Sequence, residues 1–213
     1  VKTHFIYNTL QTIRMLAETN EDHEVADIAY SFGQLMRYSL SNDHDRFTLR
    51  DEVKNIDHYM KIQKIRLGRR LAYEFIVATD VEQIPCPQFI LQPLVENCIV
   101  HGLAVARKTC RILIHIYEDE HDVLIQISDD GVGISPERLE RIKQVLNNQL
   151  AIEDFSTSDG GHGLYNVSER IKSFYGEDSR MEIASQPNAG TVFKLYLNRK
   201  GMFKHAEAVG GRR

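Results

Sequence analysis

The hydrophobic period of this chain changes once, near Gly68, and that change limits the folds open to it. Up to Leu67 the apolar residues recur at helical spacing. Ile6, Leu10, Ile13 and Ala17 make one stripe, Val25, Ile28, Phe32, Leu35 and Met36 a second, and Val53, Ile56 and Met60 a third. Asn20-Glu21-Asp22 and Ser41-Asn42-Asp43 are turn chemistry, so the pattern predicts a first helix ending before residue 20, a second over Glu24–Leu40 and a third from a Thr48 cap to Leu67. Beyond Gly68 the period drops to two. Cys110, Ile112, Ile114 and Ile116 alternate with polar partners, as do Val123, Ile125 and Ile127, predicting a hairpin about the turn Glu118–Asp122. Further strands are predicted over Leu71–Thr79, Arg180–Ser185 and Thr191–Leu197. Helices are predicted over Gln88–Leu103, over Pro136–Leu146 and from about Gly163. Asn147–Gly160 is polar and aperiodic, and Gly201–Arg213 reads as a loose tail. The expectation is an α+β chain of two domains: a helical region over 1–67, an α/β sandwich over 68–200, and the tail 201–213.

Composition removes several classes. Lys and Arg total 26 against 30 Asp and Glu, a net charge of −4, which does not suit a protein that holds nucleic acid by a basic surface. No apolar run reaches the roughly 18 residues of a membrane span. Cys86, Cys98 and Cys110 are odd in number and lack C-x-x-C spacing, so they read as free thiols in a reducing compartment. The chain opens at Val1 inside a helical pattern, without an initiator Met, and is expected to be a fragment of something longer.

Four segments carry chemistry. In Leu91–Gly102, Asn97 and His101 share a helix face, and an Asn oxygen is a neutral ligand for a hard cation such as Mg²⁺; alone, the segment reads first as a solvated face. Asp129-Asp130-Gly131-Val132-Gly133 ends a strand. A buried Asp there can accept from an exocyclic amine, which adenine offers and guanine does not, although an Asp-Gly turn explains the same residues. Gly160-Gly161-His162-Gly163-Leu164 runs into a helix start, where free N–H groups suit phosphate, yet it is not a Walker-type loop. Gly190-Thr191 precedes the last strand.

Taken in order, an Asn helix, a D-x-G-x-G strand end, a polar lid, a G-x-G-L helix start and a terminal G-T strand resemble the ATP-binding domain shared by histidine kinases, type II topoisomerases, Hsp90-type chaperones and mismatch-repair ATPases. That resemblance implies a two-layer α/β sandwich with ATP under a mobile lid. Asn97 would be the Mg²⁺ ligand and Asp129 the adenine reader. Gly131, Gly133, Gly161 and Gly163 would be loop and lid glycines, and His101, His162, Leu164 and Thr191 would flank the nucleotide. ATP-hydrolysing members place a Glu four residues before the Asn. Here that residue is Pro93, and Glu96 points about 100° away from Asn97 on a helix.

His4-Phe5-Ile6-Tyr7-Asn8-Thr9-Leu10 narrows the choice. His4 lies about 200° from Ile6, on an exposed face with Asn8. At pH 7 about three quarters of such a His is neutral and can attack phosphorus. The motif, with Leu49-Arg50-Asp51-Glu52, Tyr59-Met60-Lys61-Ile62-Gln63, Arg66 and Leu91–Asn97, resembles the LytS/YesM-type sensor histidine kinases over residues 2–198. The resemblance implies a homodimer paired through its first helices, His4 phosphorylated from ATP, and transfer to an aspartate of a response regulator. The kinase would sit on the cytoplasmic side of a membrane, joined to it by a missing N-terminal part. Phe5 replaces the acidic neighbour of many histidine kinases, so no general base is named, and Asn8 is the candidate to orient the imidazole. Thr3 stands where the family has Pro, and Val100 where Lys is common. An ATP-sensing interaction module and a gated ATPase are the alternatives.

Overall fold

The computed structural model describes residues 3–41, 47–103, 109–149 and 161–202. Three helices come first, α1 (Thr3–Thr19), α2 (His23–Ser39) and α3 (Leu49–Leu67), followed by a 3₁₀ turn over Gly68–Arg70. Then follow β1 (Leu71–Val77), α4 (Gln92–Gly102), β2 (Cys110–Glu118), β3 (Asp122–Asp129), α5 (Pro136–Leu146), α6 (Gly161–Tyr175), β4 (Arg180–Ser185) and β5 (Thr191–Asn198). The strands make one sheet in the order β1-β2-β3-β5-β4, with β1 parallel to β2 and the other pairs antiparallel.

Alternation builds the two layers. Cys110, Ile112, Ile114 and Ile116 on β2, Val123, Ile125 and Ile127 on β3, and Phe193, Leu195 and Leu197 on β5 are buried on one face with α4, α5 and α6. The opposite face is closed by its own polar pairs: Arg111 bridges Glu74 at 2.9 Å, and the Arg180 guanidinium lies 3.7 Å over the Tyr196 ring. α3 joins the same core, with Leu49, Ile56 and Met60 fully buried. Its start is the predicted cap: the Asp51 carboxylate accepts from both the N–H and the hydroxyl of Thr48 at 2.9 Å.

Three expectations are corrected. The helix predicted from Gln88 begins at Gln92, and Phe89 sits at φ 59. The cause is Glu52, fully buried on α3. Its carboxylate accepts from the N–H groups of Phe89 (2.6 Å), Ile90 and Leu91 (both 2.9 Å) and from the Tyr38 hydroxyl of α2. Arg170 of α6 donates to the carbonyls of Gln88 (2.6 Å) and Phe89 (3.1 Å), so segment 88–91 is gripped on both sides. Secondly, the predicted stripes of α1 and α2 are not a core. Of those residues only Ala17 is buried, while Ile13, Val25 and Phe32 are exposed; the buried residues of α2 are Ala26, Ala29, Ser31 and Tyr38, and Leu10 lies against Gly33. A two-helix hairpin has one shared seam, and the rest of a wide apolar face stays outside it. Thirdly, the tail does not begin at Gly201. A helical turn covers 199–202, Met202 is buried, and a Cβ at Gly201 would lie 1.6 Å from the Tyr175 carbonyl oxygen. Residues 203–213, and the lid stretch over 150–160, lie outside the described residues.

Burial raises the Glu52 pKa, with Tyr38 and the three N–H groups pulling the other way. Glu52→Gln turns an amide nitrogen toward donors that need an acceptor, and is expected to cost about 2–4 kcal/mol in denaturant melts. Tyr38→Phe removes one donor of four and costs about 1 kcal/mol. Equal midpoints for Glu52→Gln and the parent would contradict the clamp.

Candidate active site

α4, β3 and β5 converge at one end of the sheet. Register pairs Asp129 with Thr191, so the last residue of β3 stands beside the first of β5. Across from them α4 presents Asn97 and His101. These four, with Leu164 of α6 and Arg138 of α5, line a narrow cleft of about 10 Å³, room for roughly one water. Five of the residues singled out in the sequence thus meet in one place: Asn97, His101, Asp129, Leu164 and Thr191.

The others have different positions. Gly131 and Gly133 form the turn behind Asp129. A Cβ at Gly131 would lie 2.4 Å from the Gly102 Cα, so the bare turn lets the end of α4 close on β3. Gly133 takes φ +69, and a side chain there would meet the Gln186 carbonyl oxygen at 2.0 Å. Gly161, His162 and Gly163 open α6 without lining the cleft, and a Cβ at Gly163 would be 3.7 Å from that of Pro93. His4 and Asn8 stand on α1, outside the cleft, both exposed, with Asn8 Nδ2 3.3 Å from His4 Nδ1.

The chemistry of the cleft follows from burial. Burial pushes the Asp129 carboxyl up from the usual aspartate range, against the Gly131 N–H that donates to its Oδ1 at 2.8 Å and the Cys98 thiol. Burial, then the charge of Arg138, pulls His101 down; Arg138 Nη2 is 3.4 Å from its Nε2. Asn97 donates its amide to the Pro93 carbonyl at 2.7 Å, which leaves Oδ1 as the oxygen it can offer a cation. Among the described residues no group of three His, Cys, Asp or Glu side chains could hold a metal unaided.

Residues 1–71 match the family described as histidine kinase, and residues 84–201 match the histidine kinase-, DNA gyrase B- and HSP90-like ATPase family. The chain belongs to the histidine kinases. Sensor histidine kinase YesM of Bacillus subtilis is 32% identical over 191 residues, 90% of this chain and 30% of that protein. Sensor protein LytS of Bacillus anthracis is 24% identical over 201 residues, 94% of this chain and 33% of that one. The chain thus spans about a third of the length of these relatives. Among solved structures, the histidine kinase domain of the Erythrobacter litoralis EL346 blue-light activated histidine kinase superposes with TM-score 0.53 at 9% identity, covering 96% of this chain and 89% of that one. At that identity the likeness is one of fold.

Two residues at or behind the site carry no mark in the sequence. Arg138 lies half-buried in the first turn of the charged helix α5, with no motif to mark it. Ser185 accepts from the Ile134 N–H at 2.9 Å and donates to the Gly190 carbonyl at 2.7 Å, fastening the glycine turn to β5, and its signal was only a strand end. Gly131→Ala forces the turn off the Gly102 backbone and is expected to lower stability by about 1–3 kcal/mol, measured by thermal melting. An unchanged Tm would refute the close approach.

Proposed function

We propose that the chain autophosphorylates on His4 from ATP held in the cleft, and then passes the phosphoryl group to an aspartate of a separate response regulator. Division at Leu67/Gly68 separates acceptor from donor in sequence. The observation that carries the reading is the meeting of Asn97, Asp129 and Thr191 in one cleft, in a chain that also presents an exposed His on its first helix.

Asp129 reads adenine by accepting from its exocyclic amine, and a guanine oxygen there would face a carboxylate. The expected preference for ATP over GTP is on the order of 10–100-fold. Asn97 Oδ1 would hold Mg²⁺, which offsets charge on the phosphates when bound. The Gly161–Leu164 start of α6 would offer its free N–H groups to phosphate. A neutral His4 nitrogen attacks the γ-phosphorus in line, the bond to the β–γ bridging oxygen breaks, and ADP leaves with the pair of electrons. Asn8 orients the ring: with its amide oxygen turned to Nδ1–H, the Nε2 lone pair faces outward.

Transfer is favoured over hydrolysis because no carboxylate faces Asn97 from the first turn of α4. Pro93 stands there, and Glu96 accepts from Gln92 Nε2 at 2.8 Å. The apolar surface left by Phe5, Ile13, Met15, Leu16 and Phe32 suits a homodimer joined through α1 and α2. No helix among the described residues is long and apolar enough to cross a membrane. A place on the cytoplasmic side of a membrane is proposed through the relatives' description as sensor kinases.

Incubation with γ-labelled ATP and Mg²⁺ should yield an acid-labile, base-stable label that His4→Ala removes and Asn97→Ala reduces at least tenfold; a label surviving His4→Ala would sink the assignment. The raised Asp129 pKa sets a pH window. Ionised Asp129 binds adenine, so ATP affinity falls as the pH drops through that pKa, starting above the ordinary value of about 3.9. In Asp129→Asn this part of the pH dependence should vanish; an identical pH profile in the variant would reject Asp129 as the adenine reader.

A further inference from the structure

Arg138 has no part yet in the reaction, and its place is an unfavourable one for a cation. Ile134, Arg138 and Ile142 follow one another at intervals of four, and all three line the nucleotide cleft. The two isoleucines are buried, so the guanidinium lies on the core-facing stripe that runs from Ile134 into α5, where an apolar residue is the ordinary choice. It also falls in the first turn of α5, where its own N–H donates to Ser135 Oγ at 3.4 Å. That end of a helix is the positive end of its dipole. Half-burial and the dipole both act against a positive charge here, and neither has a local remedy.

The charge of the cleft supplies a reason. Among the described residues its lining holds one carboxylate, Asp129, and one guanidinium, Arg138. The His101 ring is neutral near pH 7, since burial and the charge of Arg138 both hold its pKa down. Helix α4 contains no Lys or Arg, and Val100 stands exposed one place before His101. A polyanionic nucleotide therefore meets the charge of Asp129 with no cation from α4 to offset it, and the offset comes from α5. The level of the guanidinium follows from α4. Gly102 abuts Gly131, so the last turn of α4 lies at the Asp129 end of the cleft. Asn97 is about 6 Å back along the helix axis from His101. Arg138 Nη2 donates to His101 Nε2 at 3.4 Å, which sets the guanidinium at the His101 level. A nucleotide with adenine at Asp129 and Mg²⁺ at Asn97 spans that interval with its ribose and α-phosphate.

Resting on the reading that the cleft takes ATP, we propose that Arg138 binds the α-phosphate of the nucleotide. A guanidinium carries five N–H donors in a fixed fork, so the bond to the neutral His101 ring steadies it without exhausting it, and the fork suits two phosphate oxygens at once. The contact is shared by every adenine nucleotide that has a phosphate and is absent from adenosine.

The test compares the 213-residue chain with its Arg138→Ala and Arg138→Lys variants, measuring the affinities of adenosine, AMP, ADP and ATP, each with Mg²⁺. Arg138→Ala should weaken AMP, ADP and ATP by a similar factor, about tenfold or more, and leave adenosine unchanged. Arg138→Lys keeps the charge but loses the fork, and its affinities should fall between those of the parent and of Arg138→Ala. An equal loss for adenosine makes Arg138 a merely structural residue, and a loss that begins only at ADP or at ATP moves it off the α-phosphate. Either result overturns the proposal, as does an unchanged affinity for AMP. A parent chain that binds none of the four refutes the ATP reading itself. If the parent binds ATP and Arg138→Ala binds it equally well, only the role of Arg138 is lost.

Discussion

One buried carboxylate holds the two halves of this chain in register. Glu52 costs several kcal/mol to desolvate, and the fold recovers that through four donors aimed at it. Three of them are the N–H groups just ahead of α4, which a helix start otherwise leaves to water, so an anion on α3 does the work of a cap on a helix that begins at Gln92. The fourth is the hydroxyl of Tyr38, in the last turn of α2. Gln88 adds a bond from its Nε2 to the Tyr38 carbonyl at 2.8 Å, and Arg170 fixes the carbonyls of the same segment from α6. Helices α2, α3, α4 and α6 therefore share one polar joint of four residues of chain.

The site depends on that joint through α4. Asn97 and His101 face Asp129 only if α4 starts at Gln92 and runs close enough for Gly102 to touch Gly131. Sheet register does the rest, because the Asp129–Thr191 pairing puts two motifs far apart in sequence side by side. This is why segments that are weak singly are strong together: a helix, a strand end and a strand start must all be present before a cleft exists.

The parts legible in the sequence are those decided locally. The Thr48–Asp51 cap, the Pro136 helix start and the hairpin of β2 and β3 each rest on neighbours within a few residues or on simple alternation. The misread parts were decided at a distance. Nothing between Pro87 and Leu91 announces that Glu52 will take their N–H groups, so the helix is drawn four residues too long. Periodicity located the apolar faces of α1 and α2 correctly as apolar, but it cannot say whether a face meets its own chain or another.

That last ambiguity bears on where the chain divides mechanically. α3 lies before the period change yet its Leu49, Ile56 and Met60 belong to the sandwich core, so the mechanical boundary falls ahead of it, between α2 and α3. The hairpin that carries His4 packs onto α3 through α2 and makes little contact with the strands among the described residues. Its attachment is then the α2–α3 seam, anchored at Tyr38 and Glu52, and the other apolar faces of α1 and α2 are left for a second set of helices. Under the proposed function, a hairpin attached mainly at that seam would let His4 approach a nucleotide in the cleft by pivoting there.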